Sequence, residues 1–140
     1  MPLLTRLFIR AGILFFVGSM LVQLVNAFGW VLPGITPVFW HLLIVGWITQ
    51  IIIGVAHWMF PGRVRNDAFK DNYPLWITFV FLNIGLILRA ITEPSNYYSE
   101  NIILDILIVI SAILQLIAVL IFVAVMWPRA RPKKHKLTKK

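Results

Sequence analysis

Apolar residues fill four long stretches of this chain, separated by three short segments that contain turn-forming or charged residues. Each stretch has about the 20 residues that an α-helix needs to cross the hydrocarbon core of a bilayer. The pattern predicts an all-α fold, an integral membrane four-helix bundle. The spans are expected at residues 7–30, 37–60, 74–92 and 101–127, within a membrane domain of residues 1–128.

The composition agrees with this interpretation and narrows the chemistry. Hydrophobic residues make up 60% of the chain and charged residues only 13%, with a mean hydropathy of +0.87. These values exclude an ordinary soluble enzyme. The chain has no cysteine, which removes disulfides, iron–sulfur clusters and thiolate metal sites. A metal site would therefore depend on histidine, methionine or oxygen ligands.

The positive charge is concentrated at one end of the chain. The 13 basic and 5 acidic residues give a net charge of +8, and residues 129–140 carry seven of the basic residues and no acidic one. A polybasic segment next to a span attracts anionic lipid head groups, which we favour over nucleic-acid binding. The other basic residues near expected span ends are Arg6, Arg10, Arg63, Arg65 and Lys70.

This distribution also predicts an orientation. Basic residues near span ends favour the cytoplasmic side of a membrane, so both termini are expected to be cytoplasmic, in the inner membrane of a prokaryote. The pattern requires that the first span is retained, and its apolar run is too long for a typical cleaved signal peptide.

Ionisable groups within spans are costly and mark candidate functional sites. With both termini inside, three of them share the outer layer of the membrane and two lie near the inner boundary. The outer three are His41, Arg89 and Asp105, and the inner two are Arg10 and His57.

The two histidines of the second span are expected to face nearly opposite ways. They are sixteen residues apart, which at 100° per residue gives a rotation of about 160°, so they cannot bind one metal. His41 falls on a face that also carries Val45, Ile48 and Ile52. There the imidazole needs a cofactor, another helix or a second protomer to cover it. A second stripe, expected to be buried within the bundle, contains Gly46, Gln50, Gly54 and His57.

The third span offers a basic partner at the depth of His41. Thr78, Leu82, Gly85 and Arg89 share one face, where the small Gly85 is expected to leave room for a bulky group. Arginine can bind the propionates of a haem bidentately, while His41 supplies a nitrogen for its iron. In the simpler alternative, Arg89 reaches the lipid head groups or pairs with Asp105 or Glu93. His41 would then bond to Gln23, Asn26 or a backbone carbonyl.

The second span resembles a known helix. The runs His41-Leu42-Leu43-Ile44-Val45-Gly46-Trp47 and Gly54-Val55-Ala56-His57-Trp58-Met59-Phe60-Pro61 are similar to the second transmembrane helix of haem-copper oxidase subunit I and of small four-span proteins related to it. The similarity covers chiefly residues 37–61. It implies that His41 is the axial ligand of a b-type haem. Oxygen reduction is not implied, because the chain's three histidines are too few for a haem-copper centre.

The expected cofactor is therefore haem b, and the expected cofactor-binding residues are His41, Arg89, Val45 and Gly85, with His41 as the metal ligand. No second ligand is evident at that depth, so we expect a homodimer whose sixth iron position is open or filled by the partner copy. The expected function is electron transfer, with a respiratory-chain redox partner, or binding of a diatomic gas.

Two alternatives from other classes remain. The chain could be a cofactor-free partner or assembly subunit of a respiratory oxidase complex. It could also be a small quinone-reactive enzyme or a transporter that uses Asp105 and the amides within the membrane. Those polar groups, which also suit plain interhelical hydrogen bonding, are Gln23, Asn26, Gln50, Asn83, Ser111 and Gln115.

Overall fold

Four long helices account for most of the chain. The computed structural model describes residues 1–29, 34–60, 73–99 and 101–130. Its helices are α1 (Leu3–Ala27), α2 (Ile35–Met59), α3 (Tyr73–Tyr98) and α4 (Ile102–Met126). All four are long and apolar enough to cross a membrane, which confirms the predicted all-α bundle of four spans. Trp30, the basic segment with Arg63, Arg65 and Lys70, and residues 131–140 of the basic tail lie outside the described residues.

The helices pack as two antiparallel pairs, α1 with α2 and α3 with α4, and α2 and α3 join the pairs. Within the described residues α1 and α4 make no contact. The shared core contains Phe8, Ile53, Leu82 and Ala118, one from each helix. Phe8 also meets Phe79 of α3 edge to face, with ring centroids 5.0 Å apart. The bundle is therefore centred on α2 and α3.

The outer surface is apolar, as a lipid environment requires. In the most apolar 18-residue window of α4 only 11% is buried, compared with 33% in the corresponding windows of α2 and α3. Large side chains such as Ile102, Leu116 and Leu120 are more than half exposed. In water such a surface would promote association, whereas in a bilayer it contacts lipid tails.

Close helix contacts depend on glycines of α2. A Cβ added at Gly46 would lie 2.8 Å from Cβ of Phe15, and one at Gly54 would lie 3.0 Å from Cβ of Phe8. Small residues of this kind let membrane helices approach closely. The predicted stripe is buried, because Gly46, Gln50, Gly54 and His57 all lie inside the bundle.

The helix α2 is not α-helical throughout. Residues His41–Thr49 form a π-helix between two α-helical segments, Ile35–Trp40 and Gln50–Met59. The hydroxyl of Thr49 donates a hydrogen bond of 2.9 Å to the carbonyl oxygen of Ile44, five residues earlier. π-Helical segments are rare in proteins, and those that occur often lie at functional sites. Here it begins at the histidine that the sequence singled out.

Candidate functional site

The imidazole of His41 is held by the backbone of its own helix. Its Nδ1 lies 2.8 Å from the carbonyl oxygen of Pro37. Since a carbonyl oxygen only accepts, this hydrogen bond requires the proton on Nδ1, and in the neutral ring Nε2 then carries the lone pair. The side chain is 27% exposed. The bond to Pro37 is the backbone hydrogen bond that the simpler alternative expected, and a neutral ring bonded in this way keeps its Nε2 lone pair for a ligand.

A carboxylate and a guanidinium from α3 lie beside this ring. Oε2 of Glu93 is 3.5 Å from Nδ1 of His41, and Nε of Arg89 donates a hydrogen bond of 2.6 Å to Oε1 of the same carboxylate. The Arg89 and Glu93 side chains are only 19% and 11% exposed. The three residues form one cluster, the His41 cluster, that links the start of α2 to the end of α3.

The position of His41 shows what covers its ring. A helical wheel at 100° per residue placed His41 opposite His57, on a face where a cofactor, another helix or a second protomer had to cover the imidazole. In a π-helix the i→i+5 bonds place more residues in each turn, so the rotation accumulated from His41 to Gln50 is smaller than the wheel assumes. His41 consequently contacts α3 of its own chain, while Ile48 and Ile52 remain exposed.

Two residues of the predicted site, Val45 and Gly85, do not belong to the His41 cluster. Val45 is half-buried and packs against the hydrophobic core. A Cβ added at Gly85 would lie 2.9 Å from Cγ of Gln115 and 3.1 Å from the carbonyl oxygen of Ser111. The space that we expected beside Gly85 is therefore filled by α4, and the small residue serves helix packing there.

The partner of Arg89 is also settled by this geometry. Among the two acids considered, Glu93 makes the ion pair. Asp105 is exposed, and it accepts a hydrogen bond of 2.9 Å from Nδ2 of Asn96. From the sequence, Glu93 was evident only as a possible partner of Arg89, and its contact with His41 was not expected. The four-residue spacing of Arg89 and Glu93 was the available signal, since such residues share a helix face.

Farther along the bundle, α2 and α3 are joined by amides. Nε2 of Gln50 donates a hydrogen bond of 3.2 Å to Oδ1 of Asn83, whose Nδ2 donates one of 2.7 Å to the carbonyl oxygen of Phe79. Gln50 is fully buried. This pair acts as the interhelical hydrogen bond that the sequence indicated.

A metal bound at His41 would have to bring most of its ligands from a cofactor. Within the described parts of the chain, no three residues of the types His, Cys, Asp and Glu lie together as a metal site. A porphyrin carries its own four nitrogen ligands and needs only an axial one from the protein. One histidine with a fixed ring, near a cation, meets that requirement.

Comparisons with protein-family models, curated proteins and solved structures gave no match. The resemblance to haem-copper oxidase subunit I therefore stays a prediction that rests on the residues of α2.

Proposed function

We propose that this membrane protein binds a b-type haem through Nε2 of His41. The supporting observation is the hydrogen bond from Nδ1 of His41 to the carbonyl oxygen of Pro37, with the carboxylate of Glu93 3.5 Å from the same nitrogen. Histidines that ligate metals typically donate their other ring nitrogen to a carbonyl or carboxylate, which fixes the tautomer and orients the ring. When bound, a b-type haem supplies one-electron redox chemistry or an iron site for a diatomic gas.

The neighbouring charges have distinct roles in this proposal. The carbonyl oxygen of Pro37 orients the ring of His41, and Glu93 places a carboxylate beside that ring. Arg89 uses its Nε for Glu93, and the terminal nitrogens of the guanidinium suit a second anion such as a haem propionate. The π-helical segment begins at His41, which lies close to Glu93. Val45 and Gly85, which pack inside the bundle, support the helices and have no direct role at the haem.

The proposal includes a symmetric homodimer in the inner membrane of a prokaryote, with both termini cytoplasmic. Within the described residues α1 and α4 are the outer helices, and the His41 ring is partly exposed. A second copy related by a twofold axis would present the same residues to the first copy. If a residue of that copy also held the haem, the cofactor would exchange electrons with a respiratory-chain partner. If none did, the haem would be open to a diatomic gas.

The test is a haem titration of the purified full-length protein in detergent. The native protein is expected to give a Soret band that saturates at one haem per chain or per dimer. His41→Ala should lose or shift that band, whereas His57→Ala is the matched control and should keep it. A native protein that stays colourless after haem addition would refute the proposal, as would a His41→Ala band identical to the native one.

A cofactor-free subunit of a respiratory oxidase complex is the second candidate. It is favoured by the neutralisation of Arg89 by Glu93 and by the filling of the space beside Gly85, since both features satisfy the α3 residues without a cofactor. This candidate predicts a colourless chain that co-purifies with larger membrane subunits. A stable, red protein purified alone would exclude it.

A further inference from the structure

A second group of polar atoms lies inside the bundle, away from the His41 cluster. Both ring nitrogens of His57, the hydroxyl of Thr5 and Oε1 of Gln50 are buried and have no hydrogen-bond partner among the described residues. Thr5 and Gln50 are fully buried, and His57 is 6% exposed. Buried polar atoms in native proteins are almost always paired, with protein groups or with ordered water.

Thr5 and His57 lie close to Gly54, where α1 and α2 are in contact. His57 is three residues after Gly54 on the same face of α2, and Thr5 lies opposite on α1, with its carbonyl oxygen 3.4 Å from the position of a Cβ on Gly54. Gln50 is about 10 Å from His57 along the axis of α2, and its Cβ lies beside Gly12 of α1. We call the pair of Thr5 and His57 the Gly54 polar site.

The size of the site limits what it can bind. A Cβ on Gly54 would already lie 3.0 Å from Cβ of Phe8, so there is little space for a ring or a chain of carbon atoms. Water is the smallest molecule that both donates and accepts hydrogen bonds, and it needs two to four polar partners. The site offers a hydroxyl and an imidazole, which together provide both donors and acceptors.

We infer that the Gly54 polar site binds buried water, which bridges Thr5 and His57. Lipid tails cannot hydrogen-bond to these groups, and the interior of the bundle holds no other partner for them among the described residues. The bound water pairs the buried ring of His57 and couples α1 to α2. The site is separate from His41 and stands whether or not the protein binds haem.

The first test compares hydroxyl deletions in the full-length chain. Thr5→Val keeps the shape of the side chain and removes its hydroxyl. If water bridges that hydroxyl, Thr5→Val lowers the ratio of folded to unfolded protein about fivefold, the effect of one buried hydrogen bond. In a His57→Phe background the same change has less than a twofold effect, because the bridge is already lost.

The matched control is Thr78→Val, at an equally buried threonine whose hydroxyl donates a hydrogen bond of 3.0 Å to the carbonyl oxygen of Pro74. Its effect should be the same with and without His57→Phe. If the hydroxyl of Thr5 is dry and unpaired, Thr5→Val leaves the stability unchanged or raises it. That result would overturn the inference.

The second test detects the water directly and does not depend on the folding of any variant. The full chain, with ¹⁵N-labelled histidine in lipid bilayers, is examined by solid-state NMR for magnetisation transfer from water to the His57 ring nitrogens. Transfer to both nitrogens is expected. Coupling between Thr5 and His57 without such transfer would mean a direct bond between the two side chains and would also overturn the inference.

Discussion

The contact between Gly46 and Phe15 offers the sharpest test of how α1 packs on α2. In Gly46→Ala the new Cβ would lie 2.8 Å from Cβ of Phe15 and 2.9 Å from its Cγ. These atoms are next to the backbone of α1, so a rotamer change of Phe15 does not relieve the overlap and the two helices must move apart. The matched control is Gly18→Ala, because a Cβ at Gly18 meets only Cδ1 of Leu42, at 3.9 Å.

The size of the effect follows from the comparison of the two variants. Alanine is favoured over glycine in a helix interior by about 1 kcal/mol, and this gain is similar at both sites and largely cancels. Overpacking a close contact costs about 1–3 kcal/mol. We therefore expect Gly46→Ala to have a free energy of unfolding about 2 kcal/mol lower than that of Gly18→Ala.

The assay is reversible unfolding in mixed micelles with increasing sodium dodecyl sulfate, followed by circular dichroism. Gly46→Ala should unfold at a lower detergent fraction than the native protein, and Gly18→Ala at the same fraction or a higher one. If Gly46→Ala is as stable as Gly18→Ala, the close approach of α1 and α2 at Phe15 is wrong.

Three further predictions concern polar groups. A double-mutant cycle of Gln50→Leu with Asn83→Leu should give a coupling of about 0.6 kcal/mol in the same unfolding assay, and additive effects would contradict the hydrogen bond between them. Glu93→Gln should lower the free energy of unfolding by about 1.5 kcal/mol or more, because it weakens a charge-assisted hydrogen bond; the exposed Asp105→Asn is the control and should change it by less than about 0.5 kcal/mol. The side chain of Asn101 caps α4 and accepts a hydrogen bond of 3.0 Å from a backbone N–H. Asn101→Ala should therefore lower the free energy of unfolding by about 1 kcal/mol. An unchanged stability would show that the cap contributes little.

The four spans could be predicted because a helix needs about 20 apolar residues to cross a membrane, and stretches of that length are visible in the sequence. Burial of the Gly46, Gln50, Gly54 and His57 stripe was predictable for a related reason. Most of its residues lie in the α-helical part of α2, where the wheel is valid.

The orientation of His41 could not be obtained in this way. The π-helical segment changes the rotation per residue. The pattern of apolar residues does not reveal such a segment, because lipid-facing and core-facing positions in a span are both apolar. The contact between His41 and Glu93 depends on that change and therefore appears only in the structure.

The end of α3 could not be predicted from the apolar pattern. The third span was expected to end at Thr92, and the next residues include Pro94, which lacks an N–H and crowds the preceding turn of a helix. The helix instead continues to Tyr98. The start of α2 packs against this extra turn, where a Cβ on Gly34 would lie 3.1 Å from the carbonyl oxygen of Glu93. Tertiary packing thus overrides the local preference and holds Glu93 in the helix.

The expectation of free space beside Gly85 was wrong for a different reason. A small residue on a membrane helix is compatible with a bulky ligand and with a closely packed neighbour, and the sequence does not distinguish them. The side chain of Gln115, which is long and comes from α4, occupies the position.

The most direct test of the proposed function is a reduced-minus-oxidised absorption spectrum of the full-length protein purified from its own membranes. Binding of haem by His41 predicts the sharp bands of a b-type haem in the native protein and their loss in His41→Ala, at equal amounts of folded protein. A flat difference spectrum from the native protein, or one that His41→Ala leaves unchanged, would contradict it.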